Sequence, residues 1–119
     1  MSTHQTGLLA EAFAGQALTE LGYRISERNL RNRGGEIDIV AWEGETLCIV
    51  EVRYTESADF GGPFATISEH KKSRLRRAAA AYLQTLAREP DVRFDVVGVT
   101  GPAEAMRFEL LRNAFREER

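Results

Sequence analysis

Two neighbouring segments constrain this chain more than any other feature: Glu36 to Trp42 (EIDIVAW) and Thr46 to Arg53 (TLCIVEVR), joined around Glu43-Gly44. Their β-branched content and the turn between them predict a β-hairpin. Both strands carry apolar residues on either face, so each face of the sheet needs a cover and flanking helices are expected. The surrounding pattern supplies them. A helix is predicted from about Thr6 to Leu21, closed by Gly22 where a left-handed residue ends a helix. A second starts at Thr66 and Glu69, which have capping-box spacing, and carries a Leu75, Ala79, Tyr82, Leu86 stripe until Pro90 prevents continuation. Tyr23 to Leu30, Arg93 to Thr100 and Met106 to Leu111 read as further strands, and the order becomes α-β-β-β-α-β-β.

A chain of 119 residues is expected to form one domain spanning residues 1–119. Its 43% apolar and 29% charged content excludes disorder, collagen and coiled coil. No apolar run reaches the ~20 residues of a membrane span, and the polar start is not a secretory leader, so a cytoplasmic protein is expected. The lone Cys48 excludes an intrachain disulfide and a cysteine zinc cluster, and its apolar run makes it core filler. Net charge is −2, which does not mark a nucleic-acid binder, but the charge is unevenly placed. Arg24 to Arg33 holds four arginines, and Lys71 to Arg77 (KKSRLRR) holds five cations in seven residues. The only lysines are Lys71 and Lys72. His4 and His70 read as surface residues, and Trp42 as packing at a strand end.

Asp38 and Glu51 each interrupt an otherwise apolar strand, where an ionised carboxylate is costly unless paired or metal-bound. A two-residue hairpin loop sets Asp38 opposite Ile49, and a four-residue loop sets it opposite Glu51. By period-two alternation either register places Asp38, Glu51 and Arg53 on one face, with Glu36 at its rim. Like charges so close need a cation, for which Arg53, Lys71, Lys72 or a divalent metal are candidates. Carboxylates without His or Cys are hard ligands suited to Mg²⁺ or Mn²⁺, and such ions serve phosphodiester chemistry. A purely structural network of carboxylates and arginines is the alternative. On the first helix Glu11 falls on the same side as Ala14 and Leu18, a third misplaced carboxylate.

The segments Gly35-Glu-Ile-Asp-Ile-Val40, Val50-Glu-Val-Arg53, Phe60-Gly61, Lys71 with Arg74-Leu75, Tyr82-Leu83 and Arg93-Phe-Asp-Val-Val97 together resemble the YraN-like bacterial family, over nearly the whole chain. That family is similar to archaeal Holliday-junction resolvases of the PD-(D/E)xK nuclease superfamily. The resemblance implies a restriction-endonuclease-like αβββαβ core, an α/β fold with a mixed central sheet flanked by helices. It further implies metal ligation by Asp38 and Glu51, completed by the Val52 backbone carbonyl, with Glu11 as an outer ligand. Arg53 stands where the superfamily has Lys, the residue taken to help deprotonate the attacking water. Arginine is a poor proton acceptor, although it holds phosphate well. Lys71 matches the family's lysine on the second helix and is assigned the titrating cation that Arg53 cannot supply.

The reading is thus a Mg²⁺- or Mn²⁺-dependent endonuclease acting on branched DNA, with Asp38, Glu51, Arg53 and Lys71 catalytic. Arg28, Arg31, Arg33, Lys72 and Arg74 are assigned to phosphate contacts. Symmetric cutting of a junction calls for a homodimer. The competing reading is a nucleic-acid-binding or assembly module in recombination or repair, partnered with proteins of those processes, that has lost catalysis at Arg53.

Overall fold

The computed structural model describes residues 2–56 and 67–117. Thr66 of the expected capping box therefore lies outside the described residues. Helix α1 runs Thr3–Glu20, strands β1, β2 and β3 run Arg24–Asn32, Gly35–Glu43 and Thr46–Thr55, helix α2 runs Glu69–Leu83, and strands β4 and β5 run Asp91–Thr100 and Arg107–Phe115. This is the order expected, with element ends differing by a few residues; α2 stops at Leu83, short of the Leu86 expected on its stripe. Helix α1 starts earlier than the apolar periodicity indicates, because Ser2 caps it: the Ser2 hydroxyl accepts from Gln5 N–H and the Gln5 side chain accepts from Ser2 N–H. The cap of α2 is Ser68, whose hydroxyl accepts from Lys71 N–H.

The five strands form one sheet in the order β1-β2-β3-β4-β5. Strands β1, β2 and β3 are antiparallel, β3 and β4 parallel, and β4 and β5 antiparallel. The sheet is mixed because α2 carries the chain back across it between β3 and β4. One face is covered by α1, whose Ala10, Ala14 and Leu18 pack with Ile39, Ala41, Cys48, Val50, Val97 and Val99. The other is covered by α2, whose Leu75, Ala78 and Ala79 pack with Val40, Leu47, Ile49 and Phe94. The central strands thus bury both faces, which is why β2 and β3 read as nearly continuous apolar runs, while β1 and β5 at the edges are mostly exposed. Cys48 is a buried free thiol in the first of these layers, as its sequence context indicated. Burial pushes its thiol up to about 12, so it stays protonated and unreactive.

The β2–β3 loop is Gly44-Glu45, with Glu43 opposite Thr46 and Gly44 at φ 60°. The register that follows puts Ile39 opposite Val50, and one step further would set Asp38 opposite Glu51. This is the register that a longer loop was expected to give, reached with two loop residues because the pairing extends to Glu43 and Thr46. Strict alternation fails beside Asp38. Ile37 packs in the α2 layer while Ile39 packs in the α1 layer, although residues two apart on a regular strand share a face. Asn29, adjacent on β1, has φ 50°, and the pairing given for β1 with β2 passes from Arg28 and Ile39 to Leu30 and Ile37. Asp38 lies at this irregularity, between a residue of one layer and a residue of the other.

Candidate active site

Glu51 belongs to the carboxyl half of β3, the strand that runs parallel to β4, and the carboxyl end of parallel strands is where open α/β sheets bind ligands. Its neighbours Val50 and Val52 and its partner Val96 are apolar, so the carboxyl is drawn into the sheet and is only 7% exposed. Asp38 approaches from β2. Its Oδ2 accepts from Val52 N–H at 2.8 Å, which fixes the carboxyl against the backbone one residue beyond Glu51. Asp38 stands close enough to Glu51 to oppose its ionisation. Burial first and Asp38 second hold Glu51 well above the usual carboxylate range, and Lys71 opposes them in part.

Lys71 reaches over from the first turn of α2, with Nζ 3.2 Å from Glu51 Oε2. The contact is an ion pair whose angle falls outside hydrogen bonding, so this buried oxygen has no hydrogen-bond donor among the described residues. An orphaned carboxylate oxygen beside a second carboxylate fits a cation. A cavity of about 410 Å³ opens there, lined by Glu51, Arg53, Tyr54, Ser68 and Lys71. Arg53 therefore does lie beside Glu51, as the period-two reading required.

On the α1 side, Glu11 and Asp38 line a smaller cavity of about 150 Å³ with Arg28, Asn29 and Leu8. Glu11 is raised above the ordinary carboxylate value by burial first and by the Asp38 charge second, while a hydrogen bond from Asn29 pulls it back. Among the described residues no three His, Cys, Asp or Glu side chains gather as a metal cage. Asp38 lies beside Glu51 and also shares the smaller cavity with Glu11, so the three carboxylates fall on two adjoining clefts. Two carboxylates still suit Mg²⁺, which keeps several waters and binds one or two such groups.

The predicted phosphate contacts are dispersed. Arg31 approaches Glu36 at 3.8 Å, Arg33 donates to Gln84, and Lys72 pairs with Glu69 at 3.1 Å while lying over the Phe115 ring. Arg74 is exposed on α2, where its carbonyl borders Gly35. Arg28 lies across α1 and is treated below.

The sequence reading passed over two participants. Asn29 sits in a left-handed conformation that Asn tolerates, and an amide in a strand otherwise rich in charge was the available signal. Asp95 interrupts the apolar β4 as Asp38 and Glu51 interrupt theirs. It is 1% exposed and accepts from Tyr23 Oη at 2.8 Å, Arg93 Nε at 2.8 Å and Asn113 N–H at 2.9 Å. Arg93 also donates to Glu43 at 2.6 Å, and Glu43 accepts from Arg112 at 2.7 Å. This network is satisfied and structural, in contrast to the Glu51 oxygen.

Together these features define an α/β protein whose mixed sheet carries an acidic pair and a lysine at the mouth of a cleft. Comparison gives the family. The profile of a family described as "Uncharacterised protein family UPF0102" matches residues 10–99, and the chain belongs to that family. Among its relatives, a UPF0102 protein of Chlorobium limicola is 41% identical over 92% of this chain and 84% of its own length. One from Syntrophus aciditrophicus is 42% identical over 93% and 88%, and one from Stutzerimonas stutzeri 39% identical over 95% and 96%.

Proposed function

We propose that this protein is a divalent-metal-dependent endonuclease that hydrolyses phosphodiesters in DNA, with branched DNA as the substrate class its nuclease resemblance implies. One observation carries the reading: the Glu51 carboxyl, nine-tenths buried and beside Asp38, has on one oxygen the Lys71 ion pair but no hydrogen-bond donor among the described residues. A structural ion-pair network is satisfied on every oxygen, as Asp95 is.

Asp38 and Glu51 would hold Mg²⁺ or Mn²⁺ beside the Val52 backbone, and such an ion supplies Lewis acidity toward water and a phosphate oxygen. The chain's own groups do the rest. Val52 N–H orients the Asp38 carboxyl. Lys71 keeps positive charge at the acidic pair and faces the cleft, where it draws a phosphate in. Arg53 lines the same cleft and offers a guanidinium to phosphate oxygens, while contributing little as a proton acceptor.

Cleavage of a labelled four-way junction and a flap with Mg²⁺ or Mn²⁺ tests this. The account predicts cutting by the wild type and loss of it in Asp38→Asn. A wild type that binds both substrates and cuts neither would favour the second reading, a binding or assembly module silenced at Arg53, for which the Arg at that position is the specific observation.

A further inference from the structure

Arg28 lies flat across helix α1 at Gly15. A Cβ built on Gly15 would meet both terminal nitrogens of the Arg28 guanidinium, standing 2.8 Å from Nη2 and 2.9 Å from Cζ. Only a residue without a side chain leaves that room. Gly15 is buried within α1, where glycine costs about 1 kcal/mol of helix propensity relative to alanine, so its presence there needs another reason.

The guanidinium is exposed and, among the described residues, makes no hydrogen bond and no ion pair. It nevertheless borders the cavity of Glu11, Asn29 and Asp38, and its backbone pairs with Ile39, next to Asp38. The clefts flank the carboxyl pair: Lys71 and Arg53 line the one beside Glu51, and Arg28 the one beside Asp38.

We infer that Gly15 and Arg28 form a phosphate seat, in which the glycine notch holds the guanidinium ready for a backbone phosphate flanking the one at the acidic pair. This rests on the proposal that the acidic pair faces a nucleic-acid backbone. A strand crossing the sheet end from Lys71 to Arg28 meets a cation on each side of the carboxylates, which offsets their repulsion. A guanidinium already packed against a helix has less freedom to lose on binding than one extended into solvent. Arg28 acts by touching phosphate, and Gly15 is a positioning residue that acts through Arg28.

The test uses binding of labelled four-way DNA in chelator, so that no strand is cut. The atoms a Gly15 Cβ would meet are the far end of a flexible side chain, so Gly15→Ala displaces Arg28 while the helix keeps its fold. Gly15→Ala and Arg28→Ala should each weaken binding about tenfold, and the double variant should be no weaker than Arg28→Ala alone. Arg28→Ala should also reduce the slope of log affinity against log salt by about 0.9. Wild-type affinity in Arg28→Ala would overturn the seat. Additive losses in the double variant would overturn the role of Gly15. Loss of binding in Arg28→Ala beside a wild type that never cuts would support the seat and refute the nuclease. A wild type without affinity for DNA would refute both.

Discussion

Glu51 combines the costs of burial and of a like-charged neighbour, and its behaviour should be measurable without any substrate. Its folded-state acidity is raised, so its contribution to stability is fully present below the ordinary value of 4.5 and is lost as pH rises through the raised one. Metal-free wild type should therefore lose stability between about pH 5 and pH 9, and Glu51→Gln should flatten that slope. At neutral pH the variant should be roughly 1–3 kcal/mol more stable by urea unfolding, since a neutral amide avoids the cost of holding a buried carboxyl away from its ordinary ionisation. A variant equal to or weaker than wild type would show that the Lys71 pair already satisfies the carboxylate. Arg53→Lys should raise the cleavage rate at least tenfold by supplying a group able to lose a proton, read from single-turnover rates across pH. Asp38 and Glu51 were legible in the sequence because a carboxylate inside an apolar strand is conspicuous. Asp95 met the same criterion, and only the structure separates it from them, through Arg93, Tyr23 and Asn113.

The β1–β2 turn and helix α2 are locked together at the backbone. Asn32 Nδ2 donates to the Ala78 carbonyl at 3.0 Å, its Oδ1 accepts from Gly34 N–H at 2.8 Å, and a Cβ on Gly34 would stand 2.6 Å from the Ala78 nitrogen and closer to the Arg77 carbonyl. Gly34→Ala should therefore destabilise by about 1–3 kcal/mol in urea unfolding, because helix backbone cannot move aside as a side chain can. The Gly34-Gly35 pair reads from sequence as a turn, but its contact with α2 joins residues too distant along the chain for any local pattern to show. At the opposite end of β2, Glu43 is held down to about 2 by its Arg112 hydrogen bond first, with Arg93 adding to it. Its stabilisation is fully present above 4.5 and is lost as pH falls toward 2. Acid unfolding followed by circular dichroism should show wild type more stable than Glu43→Gln at neutral pH, with the difference vanishing in strong acid. The hairpin, both helices and the element order were readable from periodicity, the β2–β3 turn and the Gly22 terminus, whereas the N-terminal caps Ser2 and Ser68 were not. The departure from alternation at Asp38 was not, since it arises from the pairing of two strands, with Asn29 at positive φ on one of them.

Across the whole molecule, two helices seal the faces of a mixed sheet and leave the carboxyl half of β3 open at a cleft, where the acidic pair, Lys71 and Arg53 converge. Among the described residues no helix is long and apolar enough to cross a membrane. The fold class followed from sequence because mutually consistent local signals admit few arrangements of two helices and five strands. The site was legible in its residue types and less so in its geometry: Glu11 shares a second, smaller cavity with Asp38 and Asn29, and the arginines assigned to phosphate fall into several surroundings. The central claim is that Asp38 and Glu51 form one divalent-cation seat. Calorimetric titration of Mn²⁺ into wild type, Asp38→Asn and Glu51→Gln tests it most directly. The account predicts saturable binding by the wild type and its loss in both variants, whereas no binding by the wild type even with DNA present, or equal affinity in all three proteins, would contradict it.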